Sequence, residues 1–191
     1  MAYLTKEQLN SYGFKHIGEN VKISEKASVY NPSQISIDDN ARIDDFCILS
    51  AGSGGITIGK YVHIGCYSSL IGRGSITLED FSGISGRVSI YSSNDDYSGN
   101  HLAHPTIPEQ FRNVQDGNVI LRKHAIVGVG SVILPNVDIG TGVVVGALSL
   151  IREDCEEFGV YVGCPAKKTK TRNRNLLTAE QKFLATKDTA D

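Results

Sequence analysis

The feature of this sequence that most constrains its fold is a ladder of aliphatic residues spaced six positions apart. A helix does not return the same face every six residues, whereas a short strand followed by a tight turn does. Three such units make a coil of about 18 residues, and successive coils can stack their strands in parallel about 4.8 Å apart. The spacing therefore predicts a parallel β-helix, a three-sided prism with aliphatic side chains along its axis. The longest unbroken ladder is Leu121, Val127, Ile133, Ile139, Val145 and Ile151.

Small or β-branched residues usually follow each aliphatic after four positions, where the corner of a coil leaves little room. Cys47 and Cys155 occupy two of these positions. Together with Cys66 and Cys164 they form no CxxC pair. The sequence therefore favours four free thiols over disulfides or a cysteine metal site.

The repeat has one large interruption. Equivalent strands start at Ile35, Ile56, Ile76, Val119 and Val137, which are 21, 20, 43 and 18 residues apart. One connection is therefore about 25 residues longer than a bare coil, and it predicts an inserted loop over about residues 92–118. Long connections inside compact domains are uncommon and are often functional.

The ends of the chain carry helix signals instead of hexads. A Thr-x-x-Gln capping-box spacing at residues 5–8 predicts a helical cap within residues 1–16. The same spacing at residues 178–181 follows a basic stretch and predicts a helix within residues 171–191. We expect a single domain with the β-helix over residues 17–170 and the two helices covering its open ends.

Composition excludes several classes of function. The chain has 191 residues and a formal charge of −2, so no polyanion-binding surface is indicated and nucleic acid is disfavoured as a partner. No apolar run approaches the length of a membrane span, and the polar start MAYLTKEQLN does not look like a signal peptide. These features predict a cytoplasmic protein without a membrane span.

The hexads VGVGSVILPNVDIGTGVVVGALSLI, followed by YVGCPAKK, resemble the C-terminal part of hexapeptide-repeat acyltransferases. The resemblance covers roughly residues 17–170 and is closest to galactoside, maltose and surface-polysaccharide O-acetyltransferases. It implies a left-handed parallel β-helix, an all-β fold. It further implies transfer of acetyl from acetyl-CoA to a sugar hydroxyl, without a metal, by a homotrimer with active sites between subunits.

The resemblance also implies a general base near the start of the inserted loop, where the galactoside enzymes have a histidine. This chain has Asp95 there, in the stretch SSNDDYSG. Asp95 can be the base itself, or it can orient His63 from the motif YVHIG, and we expect these two as the catalytic pair. A third alternative is a loop histidine. The residues expected to contact the acceptor are Asp96, Tyr97, His101, His104 and His124.

Further positions follow from the same resemblance. The backbone N–H of Val129 is expected to stabilise the oxyanion of the tetrahedral intermediate. Ala147 is small enough to let the pantetheine arm of CoA approach the strand. The cations of Arg152, Lys167 and Lys170 suit the phosphates of CoA.

Two alternatives to sugar O-acetylation share this fold. An N-acetyltransferase acting on a nucleotide-linked amino sugar would keep the same CoA groove, so the repeat separates it poorly from an O-acetyltransferase. A non-catalytic β-helix scaffold would need neither the long loop nor the basic C-terminal signature. A zinc carbonic anhydrase of the β-helix type is disfavoured, because the histidine spacing does not match its ligand set.

Overall fold

The computed structural model describes residues 2–188, so Met1 and residues 189–191 of the predicted terminal segments lie outside it. Short strands follow one another along almost the whole chain, flanked by two helices. In chain order the elements are α1 Lys6–Ser11, β1 His16–Ile17, β2 Lys22–Ile23, β3 Ser28–Tyr30, β4 Ile35–Ile37, β5 Arg42–Ile43, β6 Ile48–Ala51, β7 Ile56–Ile58, β8 His63–Ile64, β9 Ser69–Gly72, β10 Ile76–Leu78, β11 Gly83–Ile84, β12 Ser89–Tyr91, β13 Ser93–Asn94, β14 Gln115–Asp116, β15 Val119–Leu121, β16 Ile126–Val127, β17 Val132–Ile133, β18 Val137–Ile139, β19 Val144–Val145, β20 Leu150–Ile151, β21 Gly159–Gly163, β22 Ala166–Thr171 and α2 Leu176–Asp188.

The strands stack in three parallel sheets, which we call faces 1, 2 and 3. Face 1 has the order β1-β4-β7-β10-β15-β18 and face 3 the order β3-β6-β9-β12-β17-β20. Face 2 has the order β2-β5-β8-β11-β16-β19-β21-β22, in which only β22 runs antiparallel to its neighbour. Each coil adds one strand to each face, and the predicted left-handed parallel β-helix is confirmed.

The hexad aliphatics form the core of the prism. On face 2, Ile43, Ile64 and Ile84 lie in register on successive coils, and each side chain is almost fully buried. Cys47 and Cys155 are buried at corners, as expected for the small residue of the hexad. Burying this apolar surface along the axis is the main favourable contribution to folding.

Corners between the faces repeat from coil to coil. Corner 1–2, between faces 1 and 2, carries a column of residues with positive φ: Asn20, Asn40, Tyr61, Phe81 and His124. Corner 2–3, between faces 2 and 3, carries a second such column: Phe46, Tyr67, Arg87, Gly130 and Leu148. Corner 3–1 holds the extra residues of the long early coils and the inserted loop.

The inserted loop has structure of its own. β13 and β14 pair antiparallel and close its base, and a short 3-10 turn covers Glu109–Phe111. Arg73, at corner 3–1 of the preceding coil, binds Asp116 with its Nε and Nη2 atoms and Glu109 with Nη1, each at about 3.1 Å. Arg73 therefore fastens the loop to the prism at β14 and at the 3-10 turn.

α1 begins with the predicted capping box. Oγ1 of Thr5 accepts the Gln8 N–H at 3.3 Å, and Oε1 of Gln8 accepts the Thr5 N–H at 2.7 Å. Leu9 is buried in the core cluster. α1 therefore adds an apolar side chain to the N-terminal end of the prism.

α2 differs from the expectation in its start and its position. It begins at Leu176, two residues before the predicted cap at Thr178. It packs along corner 1–2, where the Phe183 ring meets the rings of Tyr61 and Phe81 edge-on at centroid distances of 5.3 and 6.1 Å. The expectation that α2 covers the C-terminal end of the prism is wrong. The helix instead packs its Phe183 ring against the aromatic rings along corner 1–2. No helix within residues 2–188 is long and apolar enough to cross a bilayer.

Candidate active site

Asp95 lies just after β13 and lines a cleft at corner 3–1. The cleft has a volume of about 590 Å³ and is lined partly by the small residues Ala51, Gly52 and Gly72. Oδ2 of Asp95 accepts the backbone N–H of His104 at 3.3 Å. The carboxylate is only partly buried, so a ligand in this cleft can reach it.

Asp96, the next residue, is held inside the loop. Its carboxylate accepts the Ser98 N–H at 2.7 Å and lies 2.6 Å from Nδ1 of His101. Hydrogen bonds from Ser98, assisted by His101, lower the pKa of Asp96 to about 2. The Tyr97 side chain is 86% exposed. Asp96 and His101 therefore hold the loop in shape, while Tyr97 is free to meet a ligand.

His63 lies on the outer side of face 2 and has a carboxylate partner other than Asp95. Its Nε2 atom is 2.9 Å from Oδ2 of Asp44, and Oδ1 of Asp44 also accepts Nε–H of Arg42 at 2.7 Å. Burial opposes ionisation of Asp44, but the hydrogen bonds from His63 and Arg42 outweigh it and lower its pKa. Within one chain, His63 and Asp95 lie on different sides of the prism.

Corner 2–3 places Val129 one coil beyond Ser85 and Gly86. The neighbouring Gly128 and Gly130 donate their N–H groups to Val145 O and Gly86 O at 2.8 and 3.1 Å. The N–H of Val129 donates to no acceptor within residues 2–188, and the residue is 47% exposed. Corner 2–3 therefore presents a free backbone N–H at the surface, two residues after the end of β16.

The four residues expected to bind CoA lie near the C-terminal end of the prism. Arg152 and Lys167 line one small pocket of about 120 Å³, together with Tyr161 and Pro165. Ala147 is exposed at corner 2–3, one coil beyond Val129. Lys170 is exposed on β22. The structure thus brings Arg152 and Lys167 together and places Ala147 in line with Val129.

The remaining histidines do not converge. The His124 side chain is 11% exposed, stacks on Phe81 at 5.3 Å and places Nε2 2.9 Å from Oε2 of Glu180. It is packed beneath α2 at corner 1–2, far from the Asp95 side of the prism. His104 has a positive φ of 79° and contributes its backbone N–H to Asp95. Within residues 2–188 no group of three or more His, Cys, Asp or Glu side chains could hold a metal ion.

Three residues at these sites were not predicted. Asp44 could have been found, because the hexad register pairs Arg42 with His63, and Asp44 stands two residues beyond Arg42 on the same side of the strand. Ser85 occupies a position that is glycine in the neighbouring coils, Gly65 and Gly128, which is only a weak signal. Arg112 stands 17 residues beyond Asp95 in an irregular segment, and no sequence pattern brings the two to one cleft.

Comparison with known proteins gives whole-length matches. The chain is 53% identical over 183 residues to a dTDP-4-amino-4,6-dideoxy-D-glucose acyltransferase of Escherichia coli, covering 96% of this chain and 95% of the relative. A structure of AntD, an N-acyltransferase from Bacillus cereus, in complex with dTDP and coenzyme A matches with a TM-score of 0.93. It is 48% identical and covers 97% of this chain and 100% of that chain. No family model matches the chain.

A third match shows how far the fold extends beyond these two proteins. A maltose O-acetyltransferase from Clostridium difficile 630 matches with a TM-score of 0.59 at 17% identity, over 88% of this chain and 75% of that chain. At this identity the likeness concerns the fold alone.

The whole-length matches overturn one expectation. The sequence was expected to encode an O-acetyltransferase acting on a sugar hydroxyl, whereas AntD is an N-acyltransferase and the E. coli relative acts on an amino sugar linked to dTDP. The O-acetyltransferase hypothesis is therefore wrong. Its basis was the hexad repeat and the terminal signature, which serve the fold and do not depend on whether the acceptor is an amine or a hydroxyl.

The chain is more than 50% identical to the E. coli relative over nearly the full length of both proteins. Its stacked coils and single inserted loop agree with that match. The chain belongs to the hexapeptide-repeat sugar acyltransferases and is an acyltransferase.

Proposed function

We propose that this protein transfers an acyl group from a CoA thioester to the amino group of dTDP-4-amino-4,6-dideoxyglucose or a closely similar nucleotide-linked amino sugar. The observation that carries the proposal is the 53% identity to the E. coli enzyme over nearly the whole chain. The amine nitrogen attacks the thioester carbonyl, a tetrahedral oxyanion forms, and its collapse expels the CoA sulfur. An amide and free CoA are the products, and the nitrogen loses one proton.

Asp95 is proposed as the group that receives this proton. The AntD structures include substitutions of a serine and of an aspartate ten positions apart, and Ser85 and Asp95 are also ten positions apart here. This spacing supports equating Asp95 with the substituted aspartate. AntD was crystallised with dTDP-4-amino-4,6-dideoxyglucose and coenzyme A when the serine was substituted.

An aspartate suits an amine acceptor better than a hydroxyl acceptor. A hydroxyl must lose its proton as it attacks, which calls for a base such as histidine with a pKa near 6.5. An unprotonated amine is already a nucleophile, and its N–H becomes strongly acidic once the new bond to carbon forms. A carboxylate then suffices as the proton acceptor, so the aspartate in place of the family histidine favours N-acylation.

The oxyanion is proposed to bind the N–H of Val129. This N–H is free and exposed, and Gly86 and Gly128 beside it leave the corner open. A backbone donor fixed by the stacked coils needs no reorganisation during the reaction, which is the condition for effective transition-state stabilisation.

CoA is proposed to run along corner 2–3 towards the C-terminal hairpin. The pantetheine arm would pass the small side chain of Ala147, and the phosphates would meet Arg152, Lys167 and Lys170. The first two cations share one pocket, which supports a common anionic ligand.

The active form is proposed to be a homotrimer. Asp95 lies at corner 3–1 and Val129 at corner 2–3, so face 3 separates them within one chain. Packing corner 2–3 of one subunit against the loop of the next would bring them together and place Asp95 opposite the His63 edge of face 2. Exposed apolar side chains favour burial there: Ile126, Val129, Leu148 and Val162.

The proposal is tested by measuring free-thiol release from acetyl-CoA and from 3-hydroxybutyryl-CoA in the presence of dTDP-4-amino-4,6-dideoxyglucose. AntD was crystallised with the second donor, so both are included. The expected result is turnover with at least one donor and a product whose mass has risen by one acyl group. Absence of thiol release with both donors, from protein that is folded and trimeric, would refute the proposal.

A further inference from the structure

The cleft that contains Asp95 is also lined by Arg112. The backbone around Arg112 is fixed, because its N–H donates to Glu109 O at 3.0 Å and the adjacent Phe111 carbonyl accepts the Leu102 N–H at 3.0 Å. Arg112 therefore emerges from an ordered part of the loop.

Arg112 differs from Arg73, the other arginine in this cleft, in having no anion of its own. Every guanidinium nitrogen of Arg73 is bonded to Asp116 or Glu109. Nε of Arg112 is buried without a hydrogen-bond partner, and Arg112 forms no ion pair within residues 2–188. A buried charged donor left unpaired is costly, and such groups call for an explanation. The arrangement indicates a site prepared for an anion that is absent from the chain itself.

We propose that Arg112 binds the diphosphate of the nucleotide-sugar acceptor, an inference that rests on the proposed function. A guanidinium presents paired donors that match two phosphate oxygens. The acceptor has a diphosphate on one side of its sugar and the reacting amine on the other. Arg112 would hold the former while Asp95 faces the latter.

Charge within the cleft supports this direction of binding. Asp95 repels a diphosphate and attracts an amine, whereas Arg112 does the reverse. CoA also contains a diphosphate that an arginine could bind. The cations proposed for CoA, Arg152 and Lys167, line a different pocket near the C-terminal hairpin, so Arg112 is assigned to the acceptor.

The test is calorimetric binding of dTDP, thymidine and CoA to the wild type, Arg112→Gln and Arg112→Lys, with the oligomeric state of each protein followed by light scattering. The Kd for dTDP should rise about tenfold to hundredfold in Arg112→Gln, with a smaller rise in Arg112→Lys. The Kd for thymidine, which has no phosphate, should change less than about twofold. Lys15→Gln removes an exposed cation from the first coil and should leave all three dissociation constants unchanged.

Three outcomes would overturn the inference. The first is wild-type binding of dTDP that Arg112→Gln leaves intact. The second is a rise in the Kd for CoA in place of dTDP, which would assign Arg112 to the donor. The third is dissociation of an Arg112→Gln trimer, which would make its partner a carboxylate of a neighbouring subunit. If the wild type binds no dTDP at all, the inference and the proposed function both fail, whereas the first three outcomes leave the proposed function standing.

Discussion

Corners 1–2 and 2–3 have the same backbone turn but very different surfaces. Both repeat a residue with positive φ in successive coils. At corner 1–2, Tyr61, Phe81 and His124 are covered by α2 of the same chain. At corner 2–3, Leu148 is 76% exposed and nothing within residues 2–188 covers it. Since the turn makes the same demand at both corners, the apolar side chains of corner 2–3 are not explained by folding of the single chain.

The difference indicates what each corner is for. Corner 1–2 satisfies its aromatic and charged groups internally and serves stability. Corner 2–3 has a free N–H and exposed apolar side chains, for which we have proposed a ligand and a second subunit, and corner 3–1 supplies the loop with Asp95.

Leu148→Glu should abolish the assembly proposed for corner 2–3. A carboxylate buried in an apolar interface is strongly disfavoured, so we expect monomers by light scattering and activity reduced more than about a hundredfold. Leu184→Glu makes the same change at a partly exposed residue of α2, beside corner 1–2, and should stay trimeric and active. A Leu148→Glu protein that is still a fully active trimer would show that corner 2–3 is not an interface.

Asp95→Asn should lower kcat with little change in the melting temperature. Losing the proton acceptor is expected to cost about 10²- to 10⁴-fold. Steady-state kinetics with a saturating donor measures the effect. Asp116→Asn is the matched control, because it removes a loop carboxylate that binds Arg73. This change should loosen the loop and lower the melting temperature of the protein. Wild-type kcat in Asp95→Asn would assign the proton to another group.

Glu180→Gln should weaken the docking of α2 by about 1–2 kcal/mol at neutral pH. This figure lies between the free energies that exposed and fully buried ion pairs contribute to stability. Burial disfavours the charged Glu180 carboxylate, but Lys123 and His124 outweigh burial and lower its pKa below 4.5. The paired carboxylate therefore stabilises the fold above about pH 4.5 and loses that contribution as the pH falls through the lowered pKa.

Thermal unfolding of wild type and Glu180→Gln, followed by circular dichroism, gives the check. The difference in melting temperature should be full at pH 7 and shrink as the pH falls below 4.5. A difference that is equal at pH 7 and pH 3.5 would show that the charge of Glu180 does not hold α2.

Ser82→Ala should stabilise the protein by about 1 kcal/mol, because the buried Oγ of Ser82 has no hydrogen-bond partner. Ser131 is the matched control at the next corner. Its Oγ donates to Gly146 O at 3.0 Å and accepts the Ser149 N–H at 3.2 Å. Ser131→Ala should therefore destabilise by about 1 kcal/mol in denaturant titrations. Equal effects of the two changes would contradict this assignment.

The prism could be predicted well from the sequence because every hexad specifies the same local structure, a short strand with one inward aliphatic side chain followed by a turn. Ile43, Ile64 and Ile84 are each buried for the same reason, so many weak signals add up. The position of α2 could not be predicted, since Glu180 and Phe183 meet residues from three different coils. The cleft was equally out of reach: Asp95 and Arg112 come together only through the fold of an irregular loop.

Whether the acceptor is an amine or a hydroxyl also could not be predicted from the repeat. Asp95 was identified as a departure from the family histidine, but its chemical meaning depends on whether the acceptor is an amine. No repeat residue carries that information. The carboxylate of Asp95, a weaker base than the family histidine, is the one signal in the sequence that favours N-acylation.

N-acylation is tested most directly with a pair of acceptors that differ in one non-hydrogen atom. Wild type and Asp95→Asn should be assayed by CoA release with dTDP-4-amino-4,6-dideoxyglucose and with its counterpart bearing a hydroxyl in place of the amine. We predict turnover of the amine by the wild type, a large loss in Asp95→Asn, and hydroxyl turnover at least about a thousandfold slower in both. Comparable wild-type rates on the two acceptors would contradict the proposal that this protein is an N-acyltransferase.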